Sequence, residues 1–161
     1  MNAAYLTRGD PLPVADAPPE PQQTDCPRGL FWGLDLTECT TRKQSRRAWH
    51  NAVAALKSEL DAHPEIRRVC IACARPQRFP QSMFVGLHEG LALKLHNDLE
   101  RDRGRYVNTL VLDVTGCDDP ELLHERLREA LCTKAAWSDL TLTWEQVRDS
   151  DVHEAWTIDA L

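Results

Sequence analysis

The sequence predicts an α/β protein, with a mostly parallel sheet of four or five strands and helices on both faces. Two observations carry this reading. Compact apolar runs of strand length alternate with stretches whose apolar residues recur at helical spacing, again and again from Leu30 to Leu142. Such strand–helix alternation is the signature of crossover units, which lay their strands parallel and cover the sheet with the intervening helices. The helical stretches also open on capping residues, which fixes where each begins.

A length of 161 residues fits one domain with a proper core. Six of the ten prolines fall within the first 27 residues, beside Gln22-Gln23 and few large apolar side chains. Residues 1–27 are therefore expected to be a disordered, proline-rich arm, because so little apolar surface does not offset the entropy of ordering it. The α/β domain is expected to span 28–161.

"LFWGLDLT" (30–37) reads as a buried strand. Thr40 or Thr41 can cap the next helix, whose inward positions are Trp49, Ala52, Val53, Leu56 and Leu60. Pro64 marks its exit, and "IRRVCIACA" (66–74) is the second strand, closed by Pro76. From Met83 to about Arg101, Phe84, Leu87, Leu91, Leu95 and Leu99 define one helical face. "YVNTLVLDVT" (106–115) is the third strand. Asp119 as cap and Pro120 at the first helical position start a helix buried along Leu123, Leu127, Ala130 and Leu131. "LTLTW" (140–144) alternates as a half-exposed edge strand does, and "AWTID" (155–159) is a candidate fifth strand.

Ligands of open parallel sheets bind outside the carboxyl ends of the strands. The chain delivers a repeated ending to that rim, "LDLTEC" at 34–39 and "LDVTGC" at 112–117. The rim should thus hold Asp35, Thr37, Glu38, Arg75, Asp113 and Thr115. A carboxylate inside an apolar run needs compensation. Either it accepts hydrogen bonds in the following turn, or Asp35, Glu38 and Asp113 hold a magnesium ion, which asks for only one or two carboxylates plus water.

The second feature is "RKQSRR" (42–47), where Arg42, Lys43, Arg46 and Arg47 crowd the start of the first helix. Cations are unfavourable at the positive end of a helix dipole, whereas free amides with arginines suit an anion. With Arg75 they form a candidate anion- or nucleic-acid-binding set; the alternative is a solvated charged face. "ERDRGRY" (100–106) either extends that patch or closes a helix with favourable cations.

Charge is unevenly spread: net −3 over 1–27, +2 over 28–138 and −5 over 139–161, for a total of −6. A mildly basic middle allows a local nucleic-acid contact but argues against coating by nucleic acid. Trp137, Trp144 and Trp156 lie in or beside the acidic end. Trp144 and Trp156 are candidate partner-binding residues, since Trp is favoured at interface hot spots, with burial in the core as the plain alternative. Cys70 and Cys73 have zinc-knuckle spacing, but on a strand they point to opposite faces, so core packing is expected rather than a metal. No GxSxG, GxGxxG, P-loop or HExxH pattern occurs. No apolar run reaches the ~18–20 residues of a membrane span, and the first residues lack signal-peptide character. A cytoplasmic protein with reduced cysteines and no membrane contact is the expectation.

"GLDLTEC", the helix bearing Trp49, "ALKSELDAHPEIRRVCIACARP", a further helix and "VNTLVLDVTG" together resemble, over about 30–131, the restriction-endonuclease-like domains attached to bacterial defence NTPases. That resemblance implies a bacterial defence or mobile-element setting and a magnesium-dependent nuclease. The chain departs from the pattern: Glu38 is followed by Cys39 and Thr40 where a lysine is required, and no Pro-Asp lies upstream in the folded region. The expected function is a non-enzymatic interaction or regulatory module, without cofactor, docking onto a larger protein or nucleoprotein assembly. The alternative is a magnesium-dependent nuclease or phosphodiesterase using Asp35, Glu38 and Asp113.

Overall fold

A computed structural model of the chain describes residues 5–12, 27–77, 90–132 and 137–159. It is an α/β fold built on one five-stranded, all-parallel sheet in the order β1-β2-β3-β4-β5. The strands are β1 (Tyr5–Gly9), β2 (Gly29–Asp35), β3 (Arg68–Ala74), β4 (Asn108–Asp113) and β5 (Leu140–Thr143). The helices are α1 (Arg42–Ala62), α2 (Leu91–Arg103), α3 (Pro120–Cys132), α4 (Trp144–Asp149) and α5 (Val152–Asp159).

Alternate residues of each strand feed two cores, as the period-two pleat requires. Leu30, Leu34, Val69, Ile71, Cys73 and Val111 pack under α1 and α2 with Trp49, Leu56, Leu60, Leu95 and Leu99. Phe31, Cys70, Ala72, Leu110, Leu112 and Leu142 pack against α3, α4 and α5 through Leu123, Leu127, Leu131, Trp144 and Val147. The connections β2–α1–β3, β3–α2–β4 and β4–α3–β5 all step the same way across the sheet. Yet α1 and α2 cover one face and α3 the other, so the third crossover has the opposite hand to the first two. At least one unit therefore departs from the usual right-handed rule. The departure is what covers the second face, because α3 lies across β1, β2 and β3.

Two expectations are corrected. Tyr5–Gly9 is not part of a disordered arm but a strand paired with Gly29–Gly33. Tyr5 and Leu12 are buried in the core, and glycines let the two chains close up: a Cβ at Gly33 would collide with the Asp10 carbonyl oxygen. Residues 13–26 of the expected arm lie outside the described residues. "AWTID" is not a strand; it continues α5, whose start is capped by Asp151 accepting from Glu154 N at 2.8 Å. Leu91–Arg103 forms the second half of the expected 83–101 helix, and Met83, Phe84 and Leu87 lie outside the described residues. A fourth helix, α4, follows β5 where the sequence pattern suggested only an edge strand. Its Thr143–Gln146 capping box ends the edge strand and starts the helix at once.

Among the described residues no helix is long and apolar enough to cross a membrane.

Candidate functional site

The carboxyl rim of the sheet gathers the two repeated endings, and they build the same turn twice. Asp35 Oδ1 accepts from Thr37 N at 2.9 Å and from the Thr37 hydroxyl at 2.6 Å. Asp113 Oδ1 accepts from Thr115 N at 3.1 Å. Cys39 N donates to Leu36 O and Cys117 N to Val114 O, both at 3.0 Å. The residue after each Asp bonds back to β3: Leu36 N to Ala74 O at 2.7 Å and Val114 N to Cys73 O at 2.9 Å. In each LDxTxC copy the aspartate thus closes an Asx-type turn and the fifth and sixth positions carry the chain off the sheet.

The two carboxylates do not converge. Asp113 is in register with Cys73 and Leu34, on the α1–α2 side, whereas Asp35 is in register with Ala74, on the α3 side. They stand two strands apart, about 10 Å, on opposite faces of the sheet. The alternative of a paired carboxylate site is therefore not met, and the pleat is the reason: Asp113 pairs with Cys73, one step below the Ala74 that pairs with Asp35.

Asp113 is almost fully buried, at 3 % exposure. Its Oδ2 accepts from Arg75 Nε at 2.9 Å, and Arg75 N donates to the Thr115 hydroxyl at 3.0 Å. Arg75 is consequently committed to Asp113, since a buried carboxylate requires a partner. Asp10, at the end of β1, accepts from Asp35 N at 3.0 Å. Glu38 is exposed beyond the turn. Among the described residues no group of three or more His, Cys, Asp or Glu side chains is placed to hold a metal ion, and Asp35, Glu38 and Asp113 are not brought together.

Arg42, Lys43, Arg46 and Arg47 occupy the opening two turns of α1, all exposed. Thr41 caps the helix, accepting from Gln44 N at 3.2 Å, while Gln44 Oε1 accepts from Thr40 N and Thr41 N at 2.7 and 3.3 Å. No acidic residue lies in this first turn. The buried positions Ser45, Trp49, Ala52, Leu56 and Leu60 turn the cations outward together. Among the described residues none of the four makes an ion pair.

Other arginines do have structural partners. Arg8 pairs with Glu59, Arg103 with Asp61 and Arg101 with Asp98 and Asp102. Arg105 donates to the carbonyls of Leu60 and Ile66 at 2.7 and 3.0 Å, satisfying the end of α1 and the chain beyond it. The "ERDRGRY" cations thus close helices rather than extend the α1 patch, with Gly104 in the left-handed conformation as the α2 C-cap.

Trp144 is not available to a partner. It is 2 % exposed and donates Nε1–H to Asp118 Oδ1 at 3.0 Å, because α4 turns it into the core beside β5. Trp156 is half-buried on α5 against the same core. Cys70 and Cys73 are fully buried in opposite cores, and burial pushes both thiols far above the ordinary range. Burial, then the Asp35 carboxylate, raises the Cys39 thiol as well. Thiolate chemistry is suppressed at all three.

A polar cluster at the other end of the strands had no sequence signal. His96 Nδ1 donates to Val107 O at 2.7 Å and lies 3.3 Å from Asp139 Oδ1, which accepts from Thr109 N at 2.9 Å. These buried groups satisfy one another and tie α2 to β4 and β5. His96 and Asp139 are 43 positions apart in the sequence, which is why no local pattern links them.

No protein-family model, curated protein or solved structure matches the chain.

Proposed function

We propose that this protein is a non-enzymatic interaction module that docks onto a larger protein or nucleoprotein assembly through the basic face of α1. The observation that carries the reading is the cluster of Arg42, Lys43, Arg46 and Arg47, exposed and without acidic partners among the described residues. It sits at a helix end whose dipole disfavours it. Like charges also face each other at i,i+4, from Arg42 to Arg46 and from Lys43 to Arg47. A surface that opposes its own helix in two ways is suited to an anionic partner, whether phosphate or carboxylate. Trp156, on the other face of the sheet, offers a separate contact.

The nuclease alternative draws no support from the rim. A metal-assisted phosphodiesterase needs carboxylates converging on one phosphate, and here Asp113 is held by Arg75 while Asp35 points to the opposite face.

The test is binding of labelled single- and double-stranded DNA and RNA by fluorescence anisotropy, with and without magnesium at two salt concentrations. A pull-down against acidic protein partners runs beside it. Arg46→Glu should weaken whichever binding is found at least tenfold, and Trp156→Ala should weaken assembly without unfolding the chain. Unchanged binding in both variants overturns the proposal, and magnesium-dependent shortening of the nucleic acid would restore the nuclease.

A further inference from the structure

We infer that the free edge of β5 is a docking strand for an extended basic peptide of a partner protein, which adds to the sheet beside Leu140–Thr143. Among the described residues β5 ends the sheet, and no strand lies beside its outward backbone N–H and C=O groups. Edge strands are ordinarily blunted by charge, proline or a bulge, and "LTLT" carries neither charge nor proline. The opposite edge is guarded: β1 ends in the charged Arg8, paired with Glu59, and in Gly9 at φ 84°.

A groove of about 360 Å³ runs along the β5 edge. Leu140 and Leu142 line it from the strand, Gln146, Asp149 and Ser150 from the end of α4, and Ala155 and Ile158 from α5. Ile158, 66 % exposed, gives the groove an accessible apolar wall. Strand addition uses this combination: backbone hydrogen bonds supply the affinity, and a groove takes alternate side chains of the incoming strand.

Charge selects the occupant. Residues 139–161 contain six acidic side chains and one basic one. That one, Arg148, is already paired with Asp149 at 3.0 Å. Asp139 and Asp149 line the groove, and Glu145 and Glu154 are exposed on α4 and α5, the helices that flank it. A second copy of this chain would bring the same acidic rim against itself, whereas a strand flanked by lysine or arginine would be attracted. The surface is separate from the α1 cations, which belong to the other face of the sheet, so the two readings fail independently.

The test uses the full chain and a capped eight-residue peptide of alternating valine and threonine with lysine at both ends. Two control peptides carry proline at a central valine, or glutamate at both ends. Saturable binding is expected, with slowed hydrogen exchange at the Leu140–Thr143 amides. Proline should abolish it, and glutamate ends should weaken it tenfold or more. Ile158→Arg and Asp149→Lys, both at exposed positions, should each weaken it tenfold with the fold intact. Absence of saturable binding overturns the inference, as does binding that survives proline or Ile158→Arg. A concentration-dependent dimer broken by Ile158→Arg also overturns it, by making a second copy the occupant.

Discussion

Reversing the first two charges of α1, with Arg42→Glu and Lys43→Glu together, should make the protein more stable while removing its proposed contact. Thr41 is the N-cap, so these residues hold the first two helical positions, where the unpaired amides present positive charge. A cation there costs, and an anion gains, about 0.3–1 kcal/mol at low salt. Because both side chains are exposed, the lower end applies, giving a swing of about 0.5 kcal/mol at each position. The substitutions also turn two repulsive i,i+4 pairs, to Arg46 and Arg47, into attractive ones in the better orientation, worth about 0.5 kcal/mol each. The expected gain is about 2 kcal/mol, or roughly 6 °C in melting temperature for a domain of this size. Thermal and urea unfolding in low-salt buffer measure it. Raising the salt to about 1 M should shrink the gain, since the Debye length falls to roughly 3 Å. An unchanged or lowered melting temperature at low salt would refute the reasoning, for it would mean the cations are already compensated within the folded chain.

Four further outcomes are expected. Asp113→Ala should cost about 3 kcal/mol by urea unfolding, because it removes a buried carboxylate together with its bonds from Arg75 Nε and Thr115 N; a loss below about 1 kcal/mol would contradict the assigned partnership. Gly33→Ala should release β1 through the collision with Asp10, seen as faster hydrogen exchange at Tyr5–Gly9. Trp144→Ala should cost about 3–5 kcal/mol, and Trp144→Phe much less, since most of the burial is kept and chiefly the bond to Asp118 is lost. Peptide-resolved alkylation should spare Cys70 and Cys73 in the native state at pH 8, because burial holds their thiols protonated. As the pH rises past about 9 the unfolded thiols ionise while these two stay neutral, so the folded state binds more protons and stability should fall.

The fold was legible where one segment of sequence decides one element. Asp119-Pro120, the Thr40-Thr41 pair of which Thr41 is the cap, and the apolar runs at β2, β3 and β4 each specify a local geometry that the tertiary structure then uses. β1 was hidden because "YLTRG" has only Tyr5 and Leu6 as large apolar residues and sits among prolines; its stability comes from pairing with β2, a partner 24 residues away. α5 was missed because "AWTID" suits a strand by composition, while its real determinant, the Asp151–Glu154 cap, lies just before it. At the rim, the repeated LDxTxC endings were read correctly as turn chemistry. What they face follows from register, and a one-residue difference sends Asp35 and Asp113 to opposite sides. Trp144 differs: the helix start is written locally, in the Thr143–Gln146 capping box, but its burial follows from packing of α4 against β5 and α3.

The central claim is that the basic face of α1 joins this protein to a larger assembly. It is tested most directly by size-exclusion chromatography of native extract from cells that make the protein, comparing the tagged wild type with Arg42→Glu/Arg46→Glu. The wild type should elute in a large complex and the double variant as a free chain of 18.3 kDa. Elution of both as free chains, or of both in the same complex, would contradict the account.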